Sequence, residues 1–162
     1  QKAASTAISL IVQYPELSEL VEAMSALAKE EMSHFQLVHQ KIRERGLKLG
    51  RERKDDYVNK LRSFLPKTKD RTERLVNQLL IAAMIEARSC ERFRVLSENI
   101  SNEELSKFYH DLMASEANHY TMFLKFARQY GDREVVDEKW KGLLEFEGEL
   151  IKSYGKKGEI HG

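Results

Sequence analysis

The chain has 162 residues, 41% of them hydrophobic and 33% charged, with two prolines and a formal net charge of +1. That length and apolar content suit one domain with a sizeable core and exclude a fibrous or intrinsically disordered chain. It carries no run of 18 apolar residues and no basic-then-apolar segment with a cleavage site, so the expectation is a cytoplasmic protein without a membrane span or signal peptide.

Taken from the N-terminus, a first helix is expected from the start of the chain to about Tyr14, over KAASTAISLIVQY. Pro15 is expected to open a second helix, because proline fits a first turn but not a helix interior. Its stripe runs through Leu20, Met24, Leu27, Glu31, His34 and Val38 at steps of three and four, and it ends near Gly46. Residues 46 to 69 carry no sustained stripe and read as a long connection holding one short helix around Tyr57 to Phe64. A third long helix, about Arg71 to Asn99, lines up Ala82, Ile85, Glu86, Ser89 and Phe93. Ser101 with Glu104 three residues on announces a fourth, as a capping box in which each side chain serves the other's free backbone N–H. Its stripe includes Leu112, Ser115, Glu116, His119 and Phe126, and Gly131 stops it. A fifth segment, Asp132 to Tyr154, is helical but more polar, and the closing GKKGEIHG is irregular. Four long helices with one long crossover between the second and third have the connectivity of a ferritin-like four-helix bundle. The expected fold is therefore all-α, a single domain over 1–162 with an extra C-terminal helix.

Charge is unevenly spread. From Lys41 to Arg74 there are 13 Lys or Arg against six Asp or Glu, a balance of +7 that leaves −6 for the rest of the chain. A charge run of this kind is commonly a solvated connection.

Two Glu-x-x-His pairs, Glu31 with His34 and Glu116 with His119, occupy positions where the stripe calls for Leu or Phe. A third carboxylate, Glu86, lies on the stripe of the third long helix. At about 1.5 Å per residue each of these helices spans roughly 40 to 45 Å, and Glu31, Glu86 and Glu116 fall near the midpoints, which share one level in an antiparallel bundle. Buried charges are costly unless they are paired or bound to metal. Side chains at i and i+3 share a face, so these five residues are candidate metal ligands. Carboxylates with one imidazole per metal suit Fe or Mn better than a closed four-ligand zinc site. The blander reading is a polar core network of Glu and His without metal. Cys90, the single cysteine, lies one turn beyond Glu86 and reads as a small core residue. A dimetal site of this class needs a fourth carboxylate from the first helix. The midpoint of that helix falls at or before Gln1, so the chain is expected to begin mid-helix, with the missing ligand preceding Gln1.

The stretches KAASTA, EEMSHF, IEARSCERF, KFYHDLMASEANHY and IHG resemble, in order and over essentially the whole chain, the bacterial tRNA hydroxylases that act on 2-methylthio-N6-isopentenyladenosine, the MiaE family of ferritin-like dimetal proteins. The resemblance implies a centre of two iron ions, O2 as co-substrate, an electron donor and hydroxylation of the isopentenyl chain of the adenosine beside the tRNA anticodon. It implies Glu31, His34, Glu86, Glu116 and His119 as the iron ligands. A tRNA substrate would give the basic crossover a purpose, because Lys and Arg bind phosphate and unstacked bases stack on aromatic rings. Lys48, Arg51, Arg53, Lys54, Lys60 and Arg62, with Tyr57 and Phe64 interleaved, are the candidates for that role. The hydroxylase reading needs only a monomer or small oligomer. The main rival, iron oxidation and storage, needs a large symmetric cage, and a quinone hydroxylase would need an exposed apolar surface for membrane docking.

Overall fold

The computed structural model describes residues 1–51 and 56–154, and among these it holds six α-helices and no strand. The closing GKKGEIHG, residues 155–162, lies outside the described residues. None of the helices is long and apolar enough to cross a membrane. The fold is the all-α, ferritin-like class expected. The chain divides into two compact units, Gln1–Arg53 and Lys54–Gly162.

The first unit pairs α1 (Lys2–Gln13) with α2 (Ser18–Glu44). Ala4, Ala7 and Leu10 form the buried edge of α1, followed by Tyr14, and Leu20, Met24, Leu27 and Glu31 form that of α2. Each fully buried Leu or Met contributes about 1.5–3 kcal/mol, so this stripe is what holds the pair, and Glu31 ends it. Pro15 does not open α2 as expected. It occupies the second position of a turn closed by Leu17 N–H donating to Tyr14 O at 3.1 Å, where its fixed φ suits a turn as well as a helix start. The helix begins three residues later, at Ser18. Its C-terminus is a Schellman closure: Leu47 N–H reaches Ile42 O and Gly46 N–H reaches Arg43 O. Gly46 has φ +68, the left-handed conformation that this closure requires.

The second unit holds α3 (Asp56–Phe64), α4 (Arg71–Asn99), α5 (Glu103–Tyr130) and α6 (Arg133–Tyr154). Asp70 caps α4 by accepting from Glu73 N–H at 2.7 Å. From Leu79 to Met84 every residue of α4 is buried, as befits a helix packed against α3, α5 and α6. The cap of α5 is Asn102, one residue later than the expected Ser101, with its Oδ1 accepting from Leu105 N–H at 2.9 Å. Asn caps as well as Ser, and the local spacing does not choose between neighbours. Gly131 ends α5 in an extended conformation, φ −110. Its necessity is steric, since an added Cβ would lie 2.8 Å from both Val136 Cγ2 and Val76 Cγ2.

The short helix α3 packs on α6. Phe64 stacks on Phe146 with centroids 5.0 Å apart and lies over Gly142, where a Cβ would meet its Cζ at 3.1 Å. Lys60 Nζ sits 4.6 Å from the centre of the Tyr154 ring. At the far end of α6, Lys139 Nζ donates to Glu73 Oε1 at 2.8 Å and to Asn77 Oδ1 at 3.1 Å, fixing α6 to the first turns of α4.

Candidate metal centre

In the second unit the antiparallel helices α4 and α5 bring Glu86, Glu116 and His119 together. Each can present a ligand atom within 4.8 Å of the others. The three are 5%, 7% and 4% exposed, so they are core residues by position whose side chains could hold a metal ion. Helical periodicity explains the arrangement: Glu86 ends the buried run of α4, and Glu116 and His119, three residues apart, share the buried edge of α5 with Leu112 and Phe123. Glu116 Oε2 is buried with no hydrogen-bond partner among the described residues. Such an oxygen is costly to leave without a partner, and a divalent cation meets its requirement. Two carboxylates and an imidazole at this spacing fit a centre of hard oxygen and borderline nitrogen donors.

Ser115, on the turn preceding His119, places its Oγ 3.3 Å from His119 Nε2. An outer hydroxyl of this kind sets the orientation of a ligating imidazole. The stripe alone gives Ser115 no role; its i, i+4 relation to His119 is the signal that the sequence carries. Cys90 is half-buried, and its thiol is pushed up from its ordinary range, by burial first and by the nearby Glu116 carboxylate second. It therefore stays a neutral thiol, consistent with a packing role.

The other Glu-x-x-His pair belongs to the first unit. Glu31 is 8% exposed and ends the buried stripe of α2. His34 Nδ1 lies 3.8 Å from Glu31 Oε1 and its Nε2 lies 3.9 Å from Glu30 Oε1, so the ring sits between two carboxylates on one helix.

The basic connection is divided by the structure. Lys48, Arg51, Lys60 and Arg62 are exposed, while Arg53 and Lys54 lie outside the described residues. Tyr57 departs from its expected place. It is 2% exposed, with its hydroxyl donating to Glu147 Oε1 at 3.0 Å, and it is not available to stack on a base. The reason is the amphipathic pattern of α3, in which Tyr57 and Leu61, four residues apart, form the buried edge.

The family described as tRNA-(MS[2]IO[6]A)-hydroxylase (MiaE) matches residues 1–162. The chain is 39% identical over 160 residues to the tRNA 2-(methylsulfanyl)-N(6)-isopentenyladenosine(37) hydroxylase of Pseudomonas putida, covering 99% of this chain and 77% of that one. It is 32% identical over 147 residues to the protein of the same description from Salmonella typhimurium, covering 88% of this chain and 52% of that longer relative. Among solved structures it resembles a protein with aldehyde deformylating oxygenase activity from Synechococcus, at a TM-score of 0.87 and 32% identity over 99% of this chain and 78% of the other. A whole-length family match and a 39% identical relative establish that the chain belongs to the tRNA-(MS[2]IO[6]A)-hydroxylase (MiaE) family.

Proposed function

We propose that this chain is an O2-dependent hydroxylase of the isopentenyl group on 2-methylthio-N6-isopentenyladenosine in tRNA, working with two iron ions. The observation that carries the reading is the buried group of Glu86, Glu116 and His119, which gives a member of this family a place for metal. Glu86, Glu116 and His119 would hold metal in the second unit, and Glu31 and His34 are the ligand candidates of the first. Such a centre, when bound, supplies the oxidation of an unactivated C–H bond, which side-chain acids and bases cannot perform. The protein's own part is positional. The buried carboxylates give up water so that their charge is held for the metals, and Ser115 keeps the His119 ring in one orientation. Apolar neighbours on the same edge of α5, Leu112 and Phe123, keep the site dry. The exposed Lys48, Arg51, Lys60 and Arg62 offer their charge to RNA phosphates, and a tRNA substrate puts the work in the cytoplasm.

The test is to supply iron, a chemical reductant, O2 and tRNA bearing the isopentenyl nucleoside to the purified protein, and to analyse the nucleosides by mass spectrometry. A gain of one oxygen on the isopentenyl nucleoside is expected. Oxidation of Fe(II) with no change in the RNA would favour the storage reading instead.

A further inference from the structure

The half of the α4–α5 hairpin that leads from the ligands to the Asn99–Glu103 connection differs from the half behind them. On α4 no residue after Glu86 is buried, and on α5 only Leu112 is buried before Glu116. Glu86 and Glu116 thus stand at the edge of the closed core. Beyond them lies a group of half-buried aromatic rings: Phe93, Phe108 and Tyr109.

Their placement is regular. Phe93 follows Glu86 by seven residues and Tyr109 precedes Glu116 by seven, so each ring sits two turns from a ligand on the same face of its helix. The helices are antiparallel, which puts both rings at one level. They stack with centroids 6.0 Å apart and planes inclined by 17°, and Phe108 joins Tyr109 at 5.7 Å. By helix rise that level is about 10.5 Å from the carboxylates. Between the two levels, on the faces that carry the ligands, stand Ser89, Cys90, Leu112 and Met113, side chains without charge.

We infer that the Phe93–Tyr109 stack is the platform for the adenine base of the substrate, with the N6 chain running past Cys90 and Met113 toward Glu86 and Glu116. The inference rests on the proposed function and locates its substrate. With bonds of about 1.5 Å, the outer carbons of an extended isopentenyl chain lie about 7–8 Å from the centre of the six-membered ring. A reacting approach of about 3–3.5 Å brings the span to about 10–11 Å, the height of the stack above the ligands. One turn further out, a cleft of about 420 Å³ lined by Ser97, Ser106, Lys107 and His110 has room for the sugar and phosphate. Glu98 and Glu103 line it too, so stacking rather than charge holds the base.

The experiment measures the affinity of an anticodon stem-loop carrying 2-methylthio-N6-isopentenyladenosine, with iron and without, for the wild type, Phe93→Leu, Tyr109→Leu and Tyr109→Phe. Leucine keeps apolar bulk but has no ring face. Each leucine variant is expected to raise Kd about 5- to 100-fold, the loss of one base–aromatic stack, while Tyr109→Phe stays within about twofold and Fe(II) binding is unchanged in all. Folded leucine variants that bind within about twofold of wild type overturn the platform and leave the rings as packing between α4 and α5. Should a leucine variant fail to fold, Phe93→Trp carries the test: a stacked base is expected to quench its indole emission beyond any change at Trp140, and bound RNA without that quenching overturns the inference. A wild type that neither binds nor hydroxylates the modified RNA overturns the proposed function, and the platform with it.

Discussion

Tyr57 donates its phenolic hydrogen to Glu147 Oε1 at 3.0 Å, and that bond ties the short helix of the basic connection to α6. Arg88 Nε lies 3.6 Å from the same oxygen, which brings α4 into the cluster two residues beyond Glu86. A ring that would suit RNA if it were exposed is a structural post instead.

Replacing Tyr57 with Phe leaves a part-buried carboxylate short of one donor and should cost about 1–2 kcal/mol at neutral pH, a fall in Tm of roughly 3–6 °C for a chain of this size. The pH dependence has a definite sign. The Tyr57 phenol is held well above its ordinary value, by burial first and by the Glu147 charge second. Above pH about 10 an unfolded tyrosine loses its proton while the folded one keeps it, so stability is full below that pH and declines as pH rises beyond it. Thermal melts at pH 7, 10 and 11 should show a shallower alkaline decline in Tyr57→Phe than in wild type. Equal declines would mean that Tyr57 does not contribute to it.

Glu86→Ala removes one of the two buried carboxylates of the second unit and should separate metal binding from folding. Metal affinity should fall by more than the roughly 10–100-fold that loss of an outer-shell partner costs, and turnover should vanish. The metal-free variant should melt at or above the wild-type temperature, because carboxylate repulsion is relieved. Titration with Fe(II) and calorimetry of the apo protein read the two effects. Normal turnover in a folded variant would remove Glu86 from the ligand set.

Ser115→Ala tests the orientation of the imidazole. Without the hydroxyl 3.3 Å from His119 Nε2, metal affinity should drop about 10- to 100-fold with little change in the apo melt. Ser115→Thr keeps a hydroxyl and should recover most of the affinity. Equal affinity in wild type and Ser115→Ala would make the hydroxyl incidental.

Gly131→Ala is predicted to destabilise through crowding alone. The new Cβ would press on Val76 and Val136 at 2.8 Å, at a backbone conformation that any residue adopts. A cost of about 1–3 kcal/mol is expected. A second substitution, Val136→Ala, should restore part of it, which denaturant unfolding of the single and double variants will measure.

Lys48→Ala, Arg51→Ala and Arg62→Ala, combined, test the basic connection at three exposed positions. Every side chain among them that neutralises a phosphate in the wild type should, once replaced, lower the slope of log K against log salt by about 0.7–0.9. Fe(II) oxidation in the absence of RNA should be unchanged. Binding titrations at two salt concentrations suffice. An unchanged slope would leave these side chains as solvated surface and assign docking to another face.

The sequence by itself determined the helices and the kind of chemistry they carry. Steps of three and four put Glu31, Glu86, Glu116 and His119 on apolar stripes, and all four are buried. Periodicity is a local property of the chain, and it survives whatever packs against it. Choices between near-equal local options needed the tertiary structure. Pro15 could open a helix or a turn, and Ser101 or Asn102 could cap α5; the local pattern does not choose, and the structure has the turn at Pro15 and the cap at Asn102. The pattern of α3 puts Tyr57 on its apolar edge with Leu61, but the meeting of that edge with Glu147 of α6 depends on residues distant in sequence. The meeting of Phe93 with Tyr109 likewise depends on the pairing of α4 with α5 in one register. An amino-acid string carries faces and charges, whereas which face meets which partner is decided by long-range packing.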